Sequence, residues 1–427
     1  MKTESDFSCL ASRSTRELCN ENILNTYGRF DLEISWGEGC RVWDETGKSY
    51  LDFGAGIAVC SLGHAHPAVT RAVAEQAGLL VHTSNLYFTR PQAELAARLN
   101  EVVESDGRIF FCNSGAEANE GLYKLARRYG AATGRYEIIT FKNSFHGRTL
   151  GGIAATGQEK VKQGFAPMVE GFRHAVFNDI NSVREQLSEK TVAVLLEPIQ
   201  GESGVHIAHY EFLQALAELC KERDLLLLFD EIQCGLGRTG DWCAWKSLVG
   251  TSVEPDAVSW AKGIANGMPL GAFWIRNREL RSEQGGEAKS LPELLGPGSH
   301  GTTYGGNPVS CAAALAVLET IQKEELLANV LELGAYLRDA LGDINHPAVA
   351  EVRAIGLMIG LGLNKDFLSG VAGGVSPAIF LSKQLMAAGL LVIPAGEETI
   401  RLLPPLNVRR EEIDEAVGII SEFLEKL

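Results

Sequence analysis

Two residues near the middle of the chain could do chemistry together. The run LLLLFDEIQ (225–233) ends an apolar strand pattern in Asp230, and VSWAKGIANG (258–267) brings Lys262 about thirty residues later. A lysine ε-amine can hold an aldehyde covalently. A carboxylate delivered into a dry pocket can keep a pyridine nitrogen protonated, so that the ring accepts electrons. Together they point to pyridoxal phosphate chemistry, and that cofactor carries a dianion that must also be bound. In RIFFCNSGAEANEGLYKLARR (108–128) a strand pattern runs into Asn-Ser-Gly-Ala and opens a helix. The N–H groups of Ser114, Gly115 and Ala116, with the Ser114 hydroxyl, would converge on a phosphate at the positive end of that helix. Glycine permits the close approach. An equal reading makes Ser114 simply the N-cap of the helix.

The elements that must position these groups follow from hydrophobic period. Short apolar runs at 108–112, 137–141, 192–198, 225–230, 256–261 and 271–275 alternate with amphipathic stretches such as 116–130 and 209–224. Strands buried on both faces read this way, so the region from about 80 to 325 falls in the α/β class with a mostly parallel central sheet. After 314–341 the texture changes to shorter elements ending in a helix over 411–427, which predicts a smaller C-terminal α+β domain. The expected division is an N-terminal segment, 1–80, joining the small domain, a large cofactor-binding domain over 81–325, and a small domain over 326–427. The stretch 35–53 reads as a hairpin, and the polar, Gly/Pro-punctuated stretch 281–298 as a surface loop.

Bulk properties narrow the function classes. The 427 residues are 45 % hydrophobic, enough to bury a large core, and the formal charge is −15. That balance supplies no basic face for nucleic acid or an anionic membrane, and leaves small soluble ligands as the expected partners. The longest apolar runs fall far short of the roughly 20 residues a membrane helix requires, and the start MKTESDFS has no apolar leader pattern. A cytoplasmic location is expected. Nine cysteines without a C-x-x-C pair predict reduced thiols used as small apolar fillers.

Three patterns compete with this reading. TGKS (46–49) lacks the upstream glycine of a phosphate loop, since Val42 stands there. GLGRTG (235–240) fits G-x-G-x-x-G, but no clear amphipathic helix follows to point at a pyrophosphate, so it reads as a glycine-rich turn. His64 and His66 in GHAHP have no third ligand grouped with them, which favours a loop-capping role over metal binding.

The motifs together are more specific than any part. FCNSGAEANE (111–120), SFHGRT (144–149), EPIQGESGV (197–205), FDEIQCGLGRTG (229–240), AKG (261–263) and HGTTYGGNP (300–308) occur in this order. From about Tyr27 to its end the chain resembles the class III aminotransferases, which are pyridoxal-phosphate enzymes of fold type I. The resemblance implies that Lys262 binds the cofactor and shuttles the substrate proton, that Asp230 holds the pyridinium proton, and that Gln233 donates to the phenolic oxygen. It also implies that Phe145 stacks on the ring and that Thr303 reaches a neighbouring subunit's phosphate, hence an active homodimer with shared sites.

For substrate, the resemblance implies that Arg401 binds the α-carboxylate of glutamate, that Arg148 takes the far carboxylate, and that Glu202 pairs with Arg401 when an ω-amine is bound. The segments 51–69 and 81–99 look most like the acetylornithine branch of the family, which uses N-acetylornithine and 2-oxoglutarate in arginine biosynthesis. Ornithine, succinylornithine and 4-aminobutyrate remain alternative donors. Two departures stand out: Ile264, Ala265 and Asn266 follow the lysine where the family often has a glycine run, and 281–298 is longer than usual. Another reaction on the same scaffold, such as an aminomutase or a decarboxylase, gives no use to the Arg401 and Glu202 pair. A nucleotide-binding α/β protein has only GLGRTG behind it.

Overall fold

The computed structural model describes residues 13–280 and 289–427. An antiparallel meander opens the fold: β1 (Ile34–Glu38), β2 (Arg41–Asp44) and β3 (Ser49–Asp52). The hairpin expected over 35–53 thus has a third strand. Its turn is closed by the Asp44 carboxylate, which accepts the N–H groups of Thr46 and Lys48 at 2.9 and 3.0 Å, around Gly47 at φ +87°.

Seven of the next strands form the central sheet. They are β4 (Gly107–Cys112), β5 (Glu137–Phe141), β6 (Phe172–Ala175), β7 (Thr191–Leu196), then, after the two-residue pair β8 (Ile199–Gln200) and β9 (His206–Ile207), β10 (Leu226–Asp230), β11 (Ala257–Trp260) and β12 (Gly271–Arg276). The order is β4-β12-β11-β10-β7-β5-β6, and only β12 runs antiparallel to its neighbours. Every residue of β5, β7, β10 and β11 is buried, which is why these strands read as continuous apolar runs rather than alternating ones. The helix Gly115–Gly130 lies on this sheet, and Gly121 lets it do so: a Cβ there would stand 2.2 Å from the ring of Phe273.

A third sheet, order β13-β14-β17-β16, is built from β13 (Val349–Ile355), β14 (Met358–Leu363), β16 (Ile393–Pro394) and β17 (Thr399–Leu402). The remaining strand, β15 (Leu390–Leu391), leaves this region and pairs in parallel with β3, Leu390 opposite Leu51. The stretch 314–341 spans two helices, Pro308–Lys323 and Leu326–Gly342, broken at Glu325 by a left-handed φ of +52°. In the expected loop over 281–298, residues 281–288 lie outside the described ones. Leu291–Leu295 is a short 3-10 turn capped by Ser290 and Glu293. Among the described residues no helix is long and apolar enough to cross a membrane.

Candidate active site

The carboxyl ends of the central strands open into a cavity of about 390 Å³. In an open α/β sheet this is where ligands bind. Ser114, Gly115, Ala116, Phe145, Arg148, Glu202, Asp230, Gln233 and Lys262, nine of the expected site residues, line it.

Asp230 ends β10 and is 3 % exposed. Its Oδ2 accepts from Asn119 Nδ2 at 2.7 Å and faces His146 Nδ1 at 2.7 Å, while Oδ1 accepts the N–H of Ile232 at 3.1 Å. An ionised carboxylate only accepts, so the proton of the imidazole belongs on Nδ1. Asn119 is fixed in turn: Ser259 Oγ donates to its Oδ1 at 2.7 Å, and its Nδ2 also donates to the His146 carbonyl at 3.1 Å. Every side chain in this network is buried. Such an assembly fixes the rotamer of a carboxylate that lines the cavity.

Lys262 follows β11 with a left-handed φ of +46°. Burial, aided by the Arg401 guanidinium and opposed by the carboxylates of Glu202, Asp230 and Glu197, brings its amine down to about 8. A lysine so tuned offers a neutral nucleophile close to neutral pH. The turn after it is pinned to the N-terminal region: Ser61 Oγ donates to the Gly263 carbonyl at 3.2 Å, and Asn266 accepts from Leu62 N–H at 2.8 Å and donates to the Gly63 carbonyl at 2.9 Å. Asn266 adopts the left-handed conformation (φ +47°) that a glycine would supply, and its amide adds two hydrogen bonds that glycine lacks.

At the other end of the cavity Ser114 caps the helix Gly115–Gly130, its Oγ accepting the Glu117 N–H at 3.3 Å. The capping reading therefore holds. It leaves the first-turn positions of Gly115 and Ala116 on the cavity wall, at the end of the helix that favours an anion. Phe145 also lines the cavity, its N–H donated to Glu197 Oε2 at 2.9 Å, with the Arg148 guanidinium 5.5 Å from its ring centroid.

Arg401, on β17, lies behind the cavity wall and is 1 % exposed. Its Nη1 donates to Gln233 Oε1 at 2.9 Å and its Nη2 to Glu202 Oε2 at 2.8 Å, while Nε finds no partner among the described residues. Glu202 rides the turn between β8 and β9. A guanidinium only donates, so it fixes the amide of Gln233 with the oxygen turned toward Arg401 and the NH₂ left to donate. Thr303 is exposed and stands apart from the cavity lining.

Four residues of the site escaped the sequence reading: His146, Asn119, Ser259 and Glu197. Glu197 lines the cavity and is 7 % exposed, its carboxyl held well above the usual range by burial and then by neighbouring Asp230. A signal existed for two of them, since His146 sits beside Phe145 and Glu197 opens the EPIQGE segment. GLGRTG forms turns, and its Arg238 is a buried staple donating to the carbonyls of Leu357, at 3.1 Å, and Pro404. His64 does not cap a loop as expected: its Nε2 bonds the Asp52 carboxylate at 2.8 Å, because the chain folds back onto β3. His66 precedes the helix Pro67–Leu79 without a side-chain cap bond.

The donor set suits pyridoxal phosphate. One cavity holds a low-pKa amine for the aldehyde, a buried carboxylate for the pyridine nitrogen, an amide N–H for the phenolic oxygen, an aromatic face and a helix N-terminus for the phosphate. Comparison with known proteins agrees. Residues 24–424 match the family model described as Aminotransferase class-III. Among curated relatives, the acetylornithine aminotransferase of Thermosynechococcus vestitus is 45 % identical over 419 residues, covering 95 % of both chains. That of Caldanaerobacter subterraneus is 42 % identical over 95 % of this chain and 98 % of its own length. Among solved structures, N-acetylornithine aminotransferase from Stenotrophomonas maltophilia is 35 % identical with a TM-score of 0.78, covering 96 % of this chain and 98 % of that one. Ornithine aminotransferase from Toxoplasma gondii is 29 % identical with a TM-score of 0.88, covering 100 % and 99 %.

Proposed function

The chain belongs to the class-III aminotransferases, and from that premise we propose that it moves the ω-amino group of N-acetylornithine to 2-oxoglutarate. The products are N-acetylglutamate 5-semialdehyde and glutamate, a step of arginine biosynthesis. The enzyme is a transaminase of the pyridoxal-phosphate-dependent class with the fold type I architecture. When bound, the cofactor supplies an aldehyde that takes up the amino group and a ring that accepts the electron pair released at the substrate carbon.

In this reading Lys262 holds the cofactor and then carries the proton at the substrate carbon, a task suited to an amine tuned to about 8. Asp230, locked by Asn119 and His146, keeps the ring nitrogen protonated. Gln233 donates to the phenolic oxygen through the NH₂ that Arg401 leaves free. Phe145 covers a ring face, and Ser114, Gly115 and Ala116 receive the phosphate, joined by Thr303 of a second copy in a homodimer. Support for that dimer comes from exposed Leu79, Leu80, Val81, Leu86, Tyr87, Phe88 and Tyr304. We read residues 81–325 as the large domain and 326–427 as the small one, with 1–80 attached to the latter; pairing of β3 with β15 supports that attachment. Cytoplasmic work suits the free thiols of the eight described cysteines.

The observation that carries the substrate reading is the Arg401–Glu202 pair. A guanidinium 1 % exposed demands an anionic partner, and Glu202, whose side chain is 38 % exposed, is free to leave it. With an ω-amine bound, Glu202 stays and neutralises Arg401. With glutamate or 2-oxoglutarate, the α-carboxylate replaces it and Arg148 takes the distal carboxylate. Ornithine is the second reading, favoured by the high similarity to the Toxoplasma gondii ornithine aminotransferase. A panel of N-acetylornithine, succinylornithine, ornithine and 4-aminobutyrate, each with 2-oxoglutarate and the loaded enzyme, tests the proposal. N-Acetylornithine is expected to give the highest kcat/KM, and a higher value for another donor overturns it.

A further inference from the structure

The turn that carries Glu202 is soft by composition. It joins β8 to β9 through Gly201, Glu202, Ser203, Gly204 and Val205, with Gly204 at φ +135° and Val205 at +61°. Its backbone closes with a hydrogen bond from the Gly204 N–H to the Gly201 carbonyl at 3.3 Å. A turn with two glycines has little preference of its own for one shape, so its position is set from outside. At its first residue, Gly201 packs so closely on Gln233 that a Cβ would collide with Oε1. At its far end the neighbour is the third sheet.

In that sheet Arg353 on β13 is the register partner of Gly360 on β14, and Gly360 is the register partner of Arg401 on β17. Cross-strand partners share a face, so the row reads arginine, gap, arginine. The turn fills the gap: a Cβ on Gly360 would stand 2.8 Å from the Gly204 carbonyl oxygen. Arg353 grips that oxygen from one side, its Nε donating at 2.7 Å, while its Nη2 donates to Thr399 Oγ1 at 2.8 Å. Thr399 stands two residues before Arg401 on the same strand and therefore on the same face. The remaining nitrogen, Nη1, bonds the Glu351 carboxylate. One guanidinium thus ties the backbone of the turn to the strand that carries Arg401. From the other side of the gap, Arg401 holds Glu202 Oε2 at 2.8 Å. His206 adds a second hold, its Nε2 bonded to the Ser203 carbonyl at 3.2 Å.

We propose that Arg353 is a positioning residue for substrate selection: it fixes the backbone of the turn against β17, confines the departure of Glu202 to a swing of its side chain, and returns that carboxylate to Arg401 when no substrate carboxylate is present. This role presupposes the exchange of partners at Arg401 proposed above. Arg353 does not line the cavity and acts through Glu202. With the backbone fixed, Glu202 gives up only side-chain freedom to reach Arg401. With the backbone released, the turn has more conformations to lose, and Glu202 competes less well with a substrate carboxylate.

Single-turnover rates of the loaded enzyme with glutamate and with N-acetylornithine test this in Arg353→Lys, Thr399→Val, Glu202→Ala and the double variant of Arg353→Lys with Glu202→Ala. Lysine keeps the charge of Arg353 but loses the fork that reaches both oxygens at once. The rate with glutamate relative to N-acetylornithine should rise about three- to tenfold in Arg353→Lys. Thr399→Val, which removes the hydroxyl and keeps the shape, should move the ratio the same way by less. Added to Glu202→Ala, Arg353→Lys should leave the ratio where Glu202→Ala alone puts it, because no carboxylate remains to be positioned. A ratio that rises in Glu202→Ala but not in Arg353→Lys or Thr399→Val overturns the positioning role alone. Equal losses in both half-reactions, the mark of a general scaffold residue, or a gain that persists in the double variant overturn it too. An unchanged ratio in Glu202→Ala overturns the exchange of partners itself, and the role of Arg353 with it.

Discussion

Replacing Glu202 by alanine separates the two half-reactions. In the resting enzyme Arg401 is 1 % exposed, and among the described residues Glu202 is the only carboxylate that its guanidinium touches; its other acceptors are the neutral Gln233 side chain and, at 3.4 Å, the Pro394 carbonyl. Removing Glu202 leaves a buried cation with neutral acceptors, so an incoming α-carboxylate no longer has to displace a bound one. A charge-assisted hydrogen bond contributes about 1.5–3 kcal/mol when buried. With the Glu202 side chain 38 % exposed, solvent screening brings this to about 1–2 kcal/mol. The rate with glutamate relative to N-acetylornithine should therefore rise about 5- to 30-fold. Single-turnover stopped-flow measurements, following the visible absorbance of the loaded enzyme with each donor in turn, read this ratio directly. The glutamate half-reaction should carry most of the change, because an ω-amine brings no carboxylate to Arg401 and displaces nothing there. An unchanged ratio, or equal losses with both donors, refutes the exchange of partners at Arg401.

Four further outcomes are expected. Lys262→Ala should abolish both the visible band of the loaded protein and transamination; a retained band would show that another amine holds the cofactor. In the apo-protein, the rate of pyridoxal phosphate capture should climb through a pKa of about 8 rather than the ordinary 10.5, and Glu202→Ala should move that midpoint lower still, since it deletes a carboxylate that favours the ammonium. Arg401→Lys should impair glutamate more than N-acetylornithine, because a point charge loses the planar fork that matches a carboxylate, and steady-state kcat/KM for both donors checks it. Burial holds Glu231 near 8 against an unfolded value of 4.5, so its contribution to stability is full below about pH 4.5 and is lost as pH rises through about 8. The denaturation midpoint of Glu231→Gln should accordingly gain on wild type between pH 5 and about 9, and parallel pH curves for the two proteins would contradict this.

The central strands were legible because a parallel sheet covered on both faces forces uninterrupted apolar runs, and such runs survive in a single sequence. Each expected strand lies within two residues of its observed bounds, and β12 alone reversed direction, which no residue pattern encodes. The meander's third strand and its partner β15 were hidden for another reason. A strand of two residues, Leu390–Leu391, has no period to detect, and its pairing with Leu51 and Asp52 spans most of the chain. Pairing at that distance is decided by packing rather than by local preference.

The site divides along the same line. Asp230 and Lys262 announced themselves because each follows an apolar strand, where a polar residue is conspicuous. Asn119 and Ser259 did not, because an asparagine in an amphipathic helix and a serine in a short strand look like ordinary solvated or pleated positions. What makes them part of the site is a chain of contacts across 111 and 140 positions, from Asn119 to Asp230 and from Ser259 to Asn119. The geometry also explains why the buried acids differ. Asp230 bonds Asn119, His146 and the Ile232 N–H, whereas among the described residues Glu197 accepts only the Phe145 N–H and has Asp230 as its neighbour. Burial, with Asp230 at the adjacent strand end, holds the Glu197 carboxyl well above the usual range. In the proposed reading Asp230, with the richer set of donors, is the partner of a pyridine nitrogen, and the side chains that hold it, Asn119 and His146, are ones that the sequence kept out of sight.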